Sequence, residues 1–134
     1  MSQKIRIGML GCGIVGGAAA QILAGHADEL RRRCGVPLEI ARIAVRSTSK
    51  PRPVDLGPDA WTTDPWEVVN DPRIDVVVEA IGGIEPARDL ILAALKSGKH
   101  VVTANKELIS SLGRELFEAA EGSNVDLLFE AAVA

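Results

Sequence analysis

Cysteine is scarce in this 134-residue chain, charge of one sign is not in excess, and no apolar run is long. Each shortage excludes something. The two cysteines are Cys12 and Cys34. If the segment between them is helical they stand ~25 Å or more apart, beyond the reach of a disulfide. Neither belongs to a CxxC or metal-like cluster, so both are expected as reduced thiols of a cytoplasmic protein. A reactive Cys12 over a phosphate site is the alternative. The formal net charge of −3 offers no attraction to nucleic acid or to an anionic membrane. No apolar stretch approaches the ~20 residues of a membrane span, and the N-terminus carries no signal-peptide pattern. There is no internal repeat and no low-complexity tract. With 47% hydrophobic and 25% charged residues, the composition is that of a globular chain of single-domain length.

What is present centres on IRIGMLGCGIVGG, residues 5–17. An apolar run (Ile5, Ile7, Met9, Leu10) leads into the G-x-G-x-x-G of Gly11, Gly13 and Gly16, and a helix-like stretch follows at once. That is where a buried parallel strand turns into a helix in a dinucleotide-binding unit. Gly11 permits the tight turn, Gly13 lets the backbone approach a pyrophosphate, and Gly16 allows helix and strand to pack closely. The free N–H groups and dipole of the helix start supply the anion-binding charge. A glycine-rich turn with no ligand, or with another phosphate ligand, fits the same pattern.

The remaining chain alternates strand and helix. AAAQILAGHADELRRRC reads as one long helix with Arg31 to Arg33 at its negative end and Gly35 as its stop. His26 lies within it as a surface residue. Leu38 to Val45 is a second strand, followed by a polar, proline-rich loop over 46–58 and a very short third strand near Trp61 and Thr62. Asp64, Pro65 and Glu67 form a helix start, with Asp64 as N-cap and Glu67 completing a capping box; this helix stops around Asp71-Pro72. Ile74 to Gly83 is nearly continuous in apolar residues, as burial on both faces requires. Pro86 opens a helix ending at Ser97-Gly98, and Lys99 to Thr103 is a fifth strand. A helix from Asn105 to Glu121 is expected to break at Gly113, and a sixth strand begins at Val125. The pattern is an α/β doubly wound parallel sheet, a Rossmann-type dinucleotide-binding domain, with its ligand crevice at the carboxyl ends of the strands.

Three strand tips therefore carry the chemistry. The second ends in Arg46, Ser47, Thr48, Ser49 and Lys50, with no carboxylate for ribose hydroxyls. An Arg there suits the 2′-phosphate of NADP rather than NAD, although a solvated basic loop is the plain alternative. The fourth ends in Ala80, Ile81, Gly82 and Gly83, where paired glycines let a cofactor lie on backbone or simply satisfy a positive-φ turn. Glu79 reads either as a strand-end carboxylate with a local partner or as a site residue. The fifth delivers Ala104, Asn105 and Lys106 to the same edge. A Lys so placed meets the nicotinamide half of the cofactor and stabilises charge on a substrate oxygen, or relays a proton if burial lowers its pKa. A Lys at a helix start is otherwise simply solvated.

GCGIVGG at 11–17, AVRSTSKPR at 44–52, VVVEAIGG at 76–83, VVTANKELI at 101–109 and FEAAVA at 129–134 together resemble the N-terminal domain of homoserine dehydrogenase, over nearly the full chain. The resemblance implies reversible reduction of L-aspartate 4-semialdehyde to L-homoserine with NADPH or NADH, on the route to threonine, methionine and isoleucine. It implies that Gly11, Gly13, Ile14, Val15 and Gly16 hold the pyrophosphate and that Arg46 and Ser47 hold the adenosine end. Ala80, Ile81, Gly82, Ala104 and Asn105 would line the nicotinamide side, with Lys106 contacting cofactor and substrate. Glu130 and the Val133 carbonyl would begin a sodium site. In the family the substrate carboxylates, a second catalytic Lys and the homodimer contact come from a later domain, so residues 1–134 alone are expected to bind cofactor without turnover. Two other readings stay open: a non-catalytic nucleotide-sensing module, and another amino-acid or semialdehyde dehydrogenase.

Overall fold

The computed structural model describes residues 4–12, 14–46 and 56–129. Within them six strands form one parallel sheet in the order β3-β2-β1-β4-β5-β6. The strands are β1 (Ile5–Leu10), β2 (Leu38–Ala44), β3 (Trp61–Thr62), β4 (Val76–Glu79), β5 (His100–Thr103) and β6 (Leu127–Phe129). Between them run α1 (Ile14–Gly25), α2 (Ala27–Cys34), α3 (Pro65–Val69), α4 (Ala87–Lys96) and α5 (Lys106–Gly122), with a 3-10 turn at Pro58–Ala60 before β3. The strand order reverses beside β1, with β2 on one side and β4 on the other. A crevice opens at such a reversal.

The period of two along each strand divides the core into two layers. Ile7 and Met9 of β1, Ile43 of β2 and Val45 pack with Ala20 of α1 on one face. Leu10, Ala44 and Val77 turn to the other face, where α3, α4 and α5 cover them. Leu90, Ile91, Leu95, Leu108 and Leu116 are wholly buried there, each worth about 1.5–3 kcal/mol of transfer free energy. Gly8, which the sequence reading passes over, is fixed by this packing. A Cβ on it would lie 2.5 Å from Val68 Cγ1 and 2.8 Å from Ile74 Cδ1.

The chain departs from its sequence pattern in small ways. The long first helix is divided at His26 (φ −121°, ψ 32°) into α1 and α2. Gly25 weakens the helix just before that point, and Asp28 and Glu29 favour a fresh positive N-terminus just after it. His26 is exposed, and Gly35 stops α2 in the left-handed conformation with its N–H donating to the Arg31 carbonyl. In α3, Asp64 does cap, accepting from the Trp66 N–H at 3.0 Å. Glu67 does not return to the Asp64 N–H. Thr62 Oγ1 takes that N–H, while Glu67 Oε2 accepts from the Thr62 hydroxyl and pairs with Arg42 at 2.9 Å. The bend in α5 falls at Leu112 (φ −131°) rather than at Gly113 itself. Neither Cys12 nor Cys34 is in a disulfide.

Candidate functional site at the carboxyl ends of the strands

The turn after β1 is built by contact with the turn after β4. Gly11 has φ +94°, and a Cβ there would lie 3.0 Å from the Ala80 carbonyl oxygen. The Gly11 N–H donates to Ala44 at the end of β2 (2.8 Å), and the Ala80 N–H donates to Leu10 (2.8 Å). Gly16, in the first turns of α1, packs on the turn itself: a Cβ on it would come within 2.6 Å of the Gly11 carbonyl oxygen. Glycine is thus demanded at 11 by conformation and at 16 by clearance. Helix α1 starts at Ile14 with no acidic residue in its first turn, so its positive end is uncompensated by its own side chains. Gly13 and Ser47, and the metal candidates Glu130 and Val133, lie outside the described residues. Among the described residues no cluster of three or more His, Cys, Asp or Glu could hold a metal.

Arg46 stands exposed just past β2 and makes no ion pair with another described residue. Lys106 begins α5, exposed, and likewise pairs with no described residue. Its exposure makes it a solvent-facing ammonium. Ile81 and Gly82 are exposed at the tip of the β4 turn, with Gly82 (φ +84°) and Gly83 (φ +75°) in the left-handed region and open space beside both.

Beneath these exposed groups lies a closed set of hydrogen bonds that spacing in the sequence does not reveal. Glu79, 1% exposed, accepts the Ile81 and Gly82 N–H groups through Oε2, both at 2.9 Å. Its Oε1 accepts from the Thr103 hydroxyl at 2.5 Å. Thr103 Oγ1 in turn accepts the Asn105 N–H (3.0 Å). The Asn105 side chain caps α5 by accepting from the Leu108 N–H (3.1 Å), and its Nδ2 donates to the Gly83 carbonyl (2.6 Å). Glu79 therefore has local partners, the structural of its two readings. The Asn105 side chain is spent on the chain rather than turned to the crevice. Ala80, Ile81 and Gly82 carbonyls accept no hydrogen bond from a described residue.

The glycine turn, a basic strand tip, a backbone-lined second turn and an ammonium at a helix start lie along one edge of the sheet, arranged to receive an extended anionic ligand. Comparison with known proteins agrees with that geometry. The family described as "Homoserine dehydrogenase, NAD binding domain" matches residues 11–130. The chain is 43% identical over 132 residues to homoserine dehydrogenase of Bacillus subtilis, covering 98% of this chain and 30% of that one. It is 48% identical over 130 residues to that of Corynebacterium glutamicum, covering 97% and 29%. Among solved structures, a homoserine dehydrogenase from Thiobacillus denitrificans superposes with a TM-score of 0.91 at 47% identity, over 99% of this chain and 31% of that one. A hyperthermophilic archaeal homoserine dehydrogenase in complex with NADPH superposes with a TM-score of 0.78 at 27% identity, over 98% and 45%. The chain thus spans about 30% of the length of the curated relatives it matches.

Proposed function

The chain belongs to the family of the homoserine dehydrogenase NAD-binding domain, and from that premise we propose that it is the cofactor-holding part of an enzyme interconverting L-aspartate 4-semialdehyde and L-homoserine. The observation that carries the proposal is the glycine turn: Gly11 and Gly16 leave no room for a side chain between β1, α1 and the Ala80 backbone, so the surface there is bare peptide. Gly13, Ile14, Val15 and Gly16 hold the diphosphate through backbone N–H groups and the positive end of α1, while Gly11, whose own N–H is taken by Ala44, shapes the turn they stand on. Arg46, with Ser47, takes the adenosine end. Its guanidinium, with no ion-pair partner among the described residues, favours a 2′-phosphate and hence NADP over NAD.

Ala80, Ile81, Gly82 and Ala104 line the nicotinamide half. When bound, the nicotinamide ring supplies a reversible hydride acceptor. The part of this chain in the chemistry is to orient that ring and to set the Lys106 ammonium beside the substrate oxygen, where positive charge stabilises the oxyanion as it develops. Asn105 fixes the start of α5 and so the place of Lys106. Glu130 and the Val133 carbonyl contribute to a sodium site in the whole enzyme. In this reading residues 1–134, which span about 30% of the length of the matched homoserine dehydrogenases, supply the cofactor half of the site. No helix among the described residues is long and apolar enough to cross a membrane, in keeping with a cytoplasmic enzyme of amino-acid biosynthesis.

Calorimetric titration of the chain with NADPH and NADH tests the reading. Saturable binding of NADPH, tighter than NADH, is the expected result. A folded chain that binds neither coenzyme at millimolar concentration overturns it.

A further inference from the structure

The loop over residues 81–83 is exposed at Ile81 and Gly82, has two consecutive left-handed glycines, and is anchored by no side chain of its own. Among the described residues its hydrogen bonds are three: Ile81 and Gly82 N–H to Glu79, and Gly83 carbonyl from Asn105. All three come from below, from groups that are 1% and 6% exposed. Burying a carboxyl group, a hydroxyl and an amide is an expensive way to fill space under a sheet tip, and apolar side chains of similar volume would do it at less cost. The expense is explained if the cluster sets the loop's shape. Its second arm is as specific. Thr103 hands the Glu79 contact on to the Asn105 N–H, and Asn105 caps the helix whose first residue is Lys106.

We propose that Glu79, Thr103 and Asn105 form a positioning relay that locks the cofactor-facing loop 81–83 and the Lys106 end of α5 into one unit, so that the nicotinamide half of the coenzyme meets both in fixed relation. The proposal rests on the cofactor-binding reading above and assigns these three residues no contact with the reacting atoms. Because Oε2 of Glu79 draws the Ile81 and Gly82 N–H groups inward, at those two residues the loop offers the coenzyme carbonyl oxygens and Cα atoms rather than donors. A ligand group seated on Ile81 and Gly82 is one that donates hydrogen bonds, not an anion.

The decisive substitution is Thr103→Val. It keeps the shape of the side chain, yet removes both the donor to Glu79 and the acceptor for the Asn105 N–H. The expected result is NADPH affinity weakened about tenfold in protein whose circular dichroism remains that of the folded chain. Thr103→Ser, which restores the hydroxyl, should return affinity to within about twofold of wild type. A purely structural role would lower stability and leave the affinity of the folded fraction unchanged, and that outcome overturns the relay. Residue-resolved hydrogen exchange gives a second readout that needs no ligand and no folded valine variant. In the wild type the Ile81, Gly82 and Leu108 amides should exchange slowly, and together. Exchange of Ile81 and Gly82 at the rate of open-loop amides overturns the relay even where coenzyme binds. A wild-type chain that binds neither coenzyme but protects these amides sinks the cofactor reading and keeps the linkage.

Discussion

The two ends of the sheet treat charge in opposite ways. At the amino-terminal ends of the strands several charged groups are engaged by near neighbours. Lys4 and Arg6 meet Glu39 across β1 and β2, at 2.6 Å and 3.9 Å. Asp75 accepts the Arg6 N–H. Asp71 takes a forked contact from Arg73, and His100 accepts the Asp126 N–H. At the carboxyl-terminal tips of β2 and β5, Arg46 and Lys106 have no ion-pair partner among the described residues, while Glu79, a buried acid at the tip of β4, is engaged by neutral donors. One end is closed by its own side chains. The other keeps two cations, bare backbone and a helix dipole available, the disposition of an anionic ligand's site.

The comparison can be broken most forcefully at Gly16. A branched side chain there meets the Gly11 carbonyl oxygen, where even a Cβ stands at 2.6 Å, so backbone must move. Gly16→Val should weaken NADPH by about a hundredfold or more and cost about 1–3 kcal/mol of stability from overpacking, read by calorimetry and by urea denaturation. Unchanged binding would mean that the turn is not the ligand surface.

Arg46 sharpens the contrast at an intermediate scale. Arg46→Ala should weaken NADPH about tenfold or more and NADH far less, with no change in the urea midpoint, since the guanidinium supports no described neighbour. Equal losses for both coenzymes would place Arg46 in general electrostatics rather than on a 2′-phosphate.

The smallest effect is expected at the closed end. Hydrogen bonds from the Arg73 side chain hold Asp71 below the ordinary value of 3.8, with the Arg73 N–H and its charge adding to the effect. A carboxyl group whose folded value is depressed stabilises the fold above its unfolded value and loses that contribution as pH falls through the folded one. Asp71→Asn should therefore lower the thermal midpoint by a few degrees at neutral pH. The gap from wild type should close as the pH is taken below 3.8. Affinity for NADPH should not move, and a change in it would show that the two ends are not separate.

The open end was largely legible in the sequence because its demands are local. The spacing of Gly11, Gly13 and Gly16 after an apolar run, and Arg46 at the end of β2, depend on neighbours along the chain. The strands announced themselves as short apolar runs between glycine, proline and helix signals, and the two-residue β3 falls at Trp61 and Thr62 as expected. Less visible was whatever depends on residues brought together across the sheet. Thr103 reaches Glu79 over 24 positions, and no periodicity marks a threonine that both donates and accepts at such a distance. Glu67 has the spacing of a capping box, but Thr62 and Arg42 compete for it through the packing of α3 on β2 and β3. Gly8 looks like an incidental gap in a strand until Val68 and Ile74 are placed above it.

Glu79 and Thr103 are also direct partners in the ladder between β4 and β5. Sliding β5 by two residues would keep every side chain on its proper face, yet set the acid opposite Val101. Glu79 Oε1 would then lose the Thr103 hydroxyl and face hydrocarbon, at a penalty that the aliphatic strands alone could not impose. A sheet of nearly interchangeable valines thereby acquires a single alignment, chosen by one polar rung.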